Sequence, residues 1–239
     1  MSALPHTFEE PEGPRFGLLA LQTDETIEGD LRALLSPNAR LHVSRVPNAR
    51  EVTPETLGAM DGEIARAASL LPGGRYDGIV YGCTSASAVI GSERVAAAVR
   101  EGCDAQRVVD PLSALIETCR AHGVRRLGFV SPYVASVSDR LRLALEAAGI
   151  AVPHLASFEV GDDWSVVRIA GASVERAARD MAARDGVDAV FLSCTNLRTL
   201  PTIERMADVG VPVWSSNLLV ARVLVAPTRS RRATMEALT

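Results

Sequence analysis

The chain has 239 residues, 47% of them hydrophobic, and its 29 acidic and 25 basic side chains leave a net charge of −4 with no basic block and only 4% aromatics, which argues against nucleic acid as a partner. Every basic residue is Arg, so no Lys is present to hold pyridoxal phosphate as a Schiff base or to complete a Walker-type phosphate loop. No apolar run reaches the roughly 18 residues of a membrane span, and residues 1–15 are acidic and proline-bearing rather than signal-like, so a cytoplasmic protein with no membrane partner is expected.

In chain order, short apolar runs alternate with helical patterns, as parallel βα units require. The predicted strands are residues 16–21, 41–46, 78–82, 107–109, 127–131, 152–157, 189–193 and 211–214. After the last strand, Ser215-Ser216-Asn217 reads as the cap of a final helix, residues 215–232, that returns to the first half of the chain.

The eight strands form two sets of four. Shifting the second half by 111 residues lays Arg-Leu-Gly-Phe-Val, 126–130, on Arg-Phe-Gly-Leu-Leu, 15–19. The same shift lays Asp188-Ala-Val-Phe-Leu-Ser-Cys194-Thr195 on Asp77-Gly-Ile-Val-Tyr-Gly-Cys83-Thr84. This internal repeat predicts an α/β protein of two similar Rossmann-like lobes, each a four-stranded parallel sheet flanked by helices, related by a pseudo-two-fold axis with the active site between them. The boundaries expected are residues 15–121, completed by the helix at 215–232, and residues 122–214.

Four cysteines, at 83, 103, 119 and 194, show no CxxC spacing, and His6, His42, His122 and His154 are scattered singly, so neither a metal site nor a disulfide framework is expected. Cys83 and Cys194 stand at the C-terminal ends of corresponding strands, each just before a predicted helix, where open parallel sheets bind ligands. A helix start offers free N–H groups to a carboxylate and lowers a thiol's pKa. Two such thiols facing one another can remove a proton from one face of a carbon and return it on the other, while Thr84, Ser85, Thr195 and Asn196 supply donors to the developing charge. Cys103 and Cys119 read as structural, as do His122 and His154.

The segments Tyr-Gly-Cys-Thr-Ser-Ala-Ser-Ala-Val-Ile-Gly, 81–91, and Phe-Leu-Ser-Cys-Thr-Asn-Leu-Arg-Thr-Leu-Pro-Thr-Ile-Glu, 191–204, resemble the two signature segments of the aspartate/glutamate racemase superfamily. The branch resembled holds maleate cis-trans isomerases, arylmalonate decarboxylases and the racemase-like proteins of ectoine utilisation, and the similarity spans about residues 15–222. The resemblance implies a cofactor-independent enzyme, commonly a homodimer, acting on a small carboxylate. Decarboxylases of the branch typically keep only the second-lobe cysteine, so possession of both favours isomerisation or racemisation. The resemblance also implies that Tyr133 binds a substrate carboxylate.

Two positions depart from the maleate isomerase pattern. Thr23-Asp24-Glu25-Thr26 stands where Ser-Asn-Thr-Thr is usual, and Gly161-Asp162-Asp163 falls near a segment that often carries Asn. Asp24 and Asp163 are candidate substrate contacts, Asp24 being equally suited to cap the helix that follows. Acid in place of amide makes an amino or hydroxyamino acid an attractive substrate. The leading expectation is therefore racemisation at the α-carbon of a small acidic amino acid, with Cys83 and Cys194 as the acid/base pair. Maleate-type cis-trans isomerisation with Cys83 adding to the alkene is the alternative, ahead of decarboxylation or non-catalytic ligand binding.

Overall fold

A computed structural model describes residues 3–9 and 11–226. In the first lobe the elements are β1 (Arg15–Leu21), α1 (Ile27–Leu34), β2 (Arg40–Val46), α2 (Pro54–Ala59), α3 (Asp61–Ser69), β3 (Gly78–Gly82), α4 (Thr84–Ile90), α5 (Ser92–Gly102), β4 (Val108–Val109) and α6 (Pro111–His122). The second lobe continues with β5 (Arg126–Ser131), α7 (Ala135–Ala147), β6 (Ala151–Ser157), α8 (Asp163–Val166), α9 (Gly171–Ala182), β7 (Ala189–Leu192), α10 (Leu200–Glu204), β8 (Val213–Ser215) and α11 (Ser216–Val225). All strand pairs are parallel, in the orders β2-β1-β3-β4 and β6-β5-β7-β8. Helices cover both faces of each sheet, which is why the central strands read as continuous apolar runs.

The repeat seen in the sequence has a physical basis. Arg15 N–H donates to the Asp77 carboxylate at 2.8 Å, and Arg126 N–H donates to that of Asp188 at the same distance, tying the start of the first strand to the start of the third in each lobe. Gly17 and Gly128 leave room for the chain that packs over the sheet. A Cβ at Gly17 would lie 3.0 Å from Leu71 Cδ1, and one at Gly128 would lie 2.6 Å from Met181 Cγ. The conserved offset therefore marks points where each sheet is braced and approached closely.

Every strand but β3 differs from expectation by one or two residues at an end. The largest shift is at β8, which starts at Val213 rather than 211, because Pro212 has no N–H to give and offers only its carbonyl, which accepts the Val190 N–H at 2.9 Å. α11 packs on α6, on α1 and on the first sheet, where Leu224 lies over Gly78. Residues 227–232 of the predicted final helix lie outside the described residues.

Helices α3 and α5 pack side by side, and their contact closes at Gly102, where a Cβ would stand 2.1 Å from the Ala65 carbonyl oxygen and 2.7 Å from Ala68 Cβ. Backbone has no rotamer with which to yield. Gly102→Ala is expected to destabilise the protein by ~1–3 kcal/mol, since overpacking forces one helix to shift. Thermal unfolding followed by circular dichroism should show a melting point lower by several degrees; an unchanged one would mean that α3 and α5 are not held this close.

Candidate active site

In both sheets the chain leaves the first strand toward one neighbour and the third strand toward the other, so a crevice opens at their C-terminal ends. Asp24 follows β1 and Cys83 follows β3, while Tyr133 follows β5 and Cys194 follows β7. The lobes face each other across these ends and bring the two cysteines into one pocket.

Cys83 caps α4, with φ −148° and ψ 114°, and its Sγ accepts the Ala86 N–H at 3.4 Å with Ser85 Oγ 3.6 Å away. Cys194 is held differently. The helix expected after it is absent: residues 195–199 form a turn, and α10 begins only at Leu200. Cys194 has φ 101°, a left-handed conformation that costs a side-chain-bearing residue about 1–3 kcal/mol and persists only where the surroundings impose it. The imposing contacts are clear. The Cys194 N–H donates to Ser216 Oγ at 3.1 Å, and Ser216 Oγ lies 2.8 Å from Thr84 Oγ1 in the other lobe.

Thr195 and Asn196 complete a clasp between the lobes. Thr195 Oγ1 donates to the Gly82 carbonyl at 3.1 Å, and Asn217 Nδ2 donates both to the Thr195 carbonyl at 2.8 Å and to Asp30 at 2.7 Å. Asn196 Oδ1 accepts the Glu25 N–H at 2.9 Å, while its Nδ2 donates to the Asp163 carbonyl at 3.0 Å. With both ends of its amide engaged and its side chain buried, Asn196 joins the lobes and does not line the pocket, a correction to its reading as a substrate contact.

The pocket is narrow, with a cavity volume of about 20 Å³, and is lined by Cys83, Thr84, Ser85, Tyr133, Asp163, Cys194 and Thr195, with Leu21 and Met60 among its apolar walls. Its remaining wall comes from residues 48–57, which the sequence reading passed over, including Asn48, Glu51, Val52 and Thr56. This stretch is held across the cleft. Glu51 forms an antiparallel bridge with Asp162, and the Val52 N–H donates to the Gly161 carbonyl at 3.1 Å. Glu51 and Asp162 are themselves related by the 111-residue shift, so the closing bridge sits on the pseudo-two-fold axis.

Of the two candidate acids, Asp163 lines the pocket and its Oδ2 accepts the Thr23 hydroxyl, a partner that the sequence did not suggest. Asp24 lies behind the wall. Its Oδ1 accepts the N–H groups of Thr26 and Ile27, both at 2.8 Å, as a helix cap does, whereas its Oδ2 is buried with no hydrogen bond. Burial pushes both carboxyls above the usual range. The thiols follow. Burial, reinforced by the charges of Asp163 and Asp24, raises Cys83 to about 12 and Cys194 well above an ordinary thiol. Tyr133 is buried beside both thiols, and that burial raises its phenol strongly as well.

Residues read as structural take such places. Ser215 caps α11 by accepting the Leu218 N–H at 3.3 Å, Cys103 Sγ lies 3.3 Å from the Val99 carbonyl, and His122 meets Trp214 edge-on. Among the described residues no group of three or more His, Cys, Asp or Glu is arranged to hold a metal ion, and no helix is long and apolar enough to cross a membrane.

Comparison with known proteins agrees with this arrangement. Residues 62–233 match the family model described as arylmalonate decarboxylase. The chain is 32% identical over 215 residues to a maleate isomerase of Nocardia farcinica, covering 84% of this chain and 85% of the relative. It is 31% identical over 219 residues to the maleate isomerase of Alcaligenes faecalis, with 84% and 86% covered. The solved structure of the Nocardia farcinica maleate cis-trans isomerase, as a cysteine-to-serine mutant with a covalently bound succinylcysteine intermediate, matches with TM-score 0.79 at 28% identity over 89% of this chain and 91% of that chain.

The raised thiol pKa values predict an order of reactivity. Alkylation by iodoacetamide, followed by peptide mass spectrometry, should modify half-exposed Cys103 before buried Cys83 and Cys194. Because a raised pKa moves thiolate formation to higher pH, the Cys83 rate should still climb beyond about pH 10, where an ordinary thiol levels off. A plateau for Cys83 below that pH would show an ionised resting thiol instead.

Proposed function

The chain belongs to the arylmalonate decarboxylase family, and from that premise we propose that it is a cofactor-independent cis-trans isomerase of a small unsaturated carboxylic acid of the maleate type, with Cys83 as nucleophile and Cys194 as proton donor and acceptor. The observation that carries this reading is the unequal holding of two buried thiols in one closed pocket. Cys83 faces the N-terminal end of a helix, whose dipole favours negative charge on sulfur. Cys194 has no helix behind it and lies against the Tyr133 hydroxyl, an arrangement suited to passing a proton.

In the reaction so assigned, the Cys83 sulfur bonds to one alkene carbon while the π electron pair moves to the other carbon, stabilised there by the adjacent carboxyl group. Cys194 delivers its proton to that carbon, and the proton lost by Cys83 replaces it, so the net change is addition of one S–H across the double bond. The former double bond is now single and rotates. Return of the proton to Cys194 and cleavage of the C–S bond, with the Cys83 proton restored, releases the trans alkene. Ser85 and Tyr133 hydroxyls line the pocket as donors for the carboxylate on which charge develops.

The same pair of thiols would serve the two-base racemisation expected from the sequence. Relatives named maleate isomerases over most of their length, and a matching structure that holds a succinylcysteine, support addition to an alkene instead.

Proton NMR with maleate and its half-amide in deuterated buffer, together with an amino acid panel, tests the assignment. Loss of the cis olefinic signal and growth of the trans signal is the expected result, reduced about 10²-fold or more in Cys83→Ser and in Cys194→Ser. Cys194→Ser should in addition accumulate an adduct, seen by mass spectrometry as the mass of one substrate on the Cys83 peptide. Exchange of amino acid α-protons without alkene isomerisation would return the assignment to a racemase.

A further inference from the structure

The polar character of the pocket narrows the substrate further. Its ionisable lining residues besides the thiols and Tyr133 are acids, Asp163 and Glu51, and among the described residues no Arg or His lines it. Asp163 is 5% exposed and gives Oδ2 to Thr23, while among the described residues nothing donates to its Oδ1. Asp24, 3% exposed, stands behind Thr195 with Oδ2 unpartnered, because the Thr195 hydroxyl donates to the Gly82 carbonyl. Arg45 donates to the main-chain carbonyls of Leu21 and Asp24 and pairs with Glu28, so its charge tempers that of Asp24 from outside the pocket lining.

A dicarboxylate bound here would set one carboxylate against these acids with no cation among the described lining residues to offset it, and like charges brought together in such a site oppose binding. A nitrogen group reverses the sign of that contact. We infer that the substrate carries a single carboxylate and presents an N–H donor, in a carboxamide or a protonated amine, to the acids at the other end of the pocket. The inference rests on the isomerase reading for the pocket but concerns recognition alone. The donor hydroxyls of Ser85 and Tyr133 serve the one carboxylate, and Asp163 Oδ1 accepts from the nitrogen.

Calorimetric titration of the wild-type protein near pH 8 with maleate, with its half-amide, and with cis-4-aminobut-2-enoate tests this without need of turnover. Both nitrogen compounds should bind roughly tenfold or more tighter than maleate, and whichever binds tighter identifies a neutral or a cationic donor. Asp163→Asn removes the charge and keeps the shape, so it should narrow or invert that preference, with the fold checked by circular dichroism. Asp24→Asn should act in the same direction. Maleate binding as tightly as either nitrogen compound, failure of both to bind at millimolar concentration, or a preference untouched in both variants overturns the inference. Binding in the expected order without isomerisation of any of the three would instead sink the catalytic assignment and leave this one standing.

Discussion

Two thiols act on one small molecule from different sides only if the sheets that carry them keep a fixed relation, and here that relation rests on a few hydroxyl groups. Thr195 reaches from the second lobe to the Gly82 carbonyl, and Ser216 stands between Thr84 of the first lobe and the Cys194 N–H of the second. Each of these groups is buried, so a lost partner would leave an unsatisfied polar atom at a cost of about 1–3 kcal/mol. That cost makes the interface specific. Apolar contact alone would let the lobes slide, whereas the clasp admits one register, and in that register Cys194 is held in its left-handed conformation. Gly82 belongs to the same constraint: a Cβ there would lie 3.2 Å from the Leu19 carbonyl oxygen and 3.0 Å from Ile27 Cδ1.

The pseudo-symmetry is obeyed by the scaffold and broken at the chemistry. Strand orders, the Arg–Asp braces and the closing bridge between residues 51 and 162 repeat faithfully. At the cysteines, by contrast, α4 follows Cys83 at once, whereas the chain after Cys194 turns and spends Asn196 on joining the lobes. Equal thiols in equal settings would have equal tendencies to ionise. The unequal settings give Cys83 a helix dipole and Cys194 the hydrogen bond of Tyr133, a difference that suits the division of labour we propose.

The scaffold was legible because strands covered on both faces by helices read as unbroken apolar runs, and because a repeat doubles every signal. Cys83 and Cys194 were legible as strand-end residues for the same reason, Tyr133 through the family resemblance, and Asp163 as an acid in a family segment. The rest was hidden for identifiable reasons. Residues 48–53 form a loop, tied to the distant segment 161–163 and to Thr23, that leads into the short helix α2, so they carry no periodicity. Asn196 looked like a substrate donor because a sequence shows an amide and not the three partners that occupy it. The helix expected after Cys194 failed because Thr195 and Asn196 have the composition of a cap while the contacts across the cleft dictate a turn. The reaction was the least legible part, since paired cysteines serve racemisation and alkene addition equally well.

The acids and the thiols together define how the resting site behaves. Burial raises both thiols, and the charges of Asp163 and Asp24 add to it, because in a weakly polarisable pocket each negative charge raises the cost of the next; both sulfurs therefore rest protonated and are poor nucleophiles. A thiol so restrained is protected from adventitious electrophiles and oxidants, but it is also too weak to attack an alkene unaided. In the reaction we propose, ionisation would therefore accompany C–S bond formation rather than precede it, and Tyr133, buried beside both thiols, would offer a short path for the proton. The charge that develops is then shared with the substrate's own carboxyl group, so the restraint on the thiols is relieved only when a molecule able to accept that charge occupies the cleft.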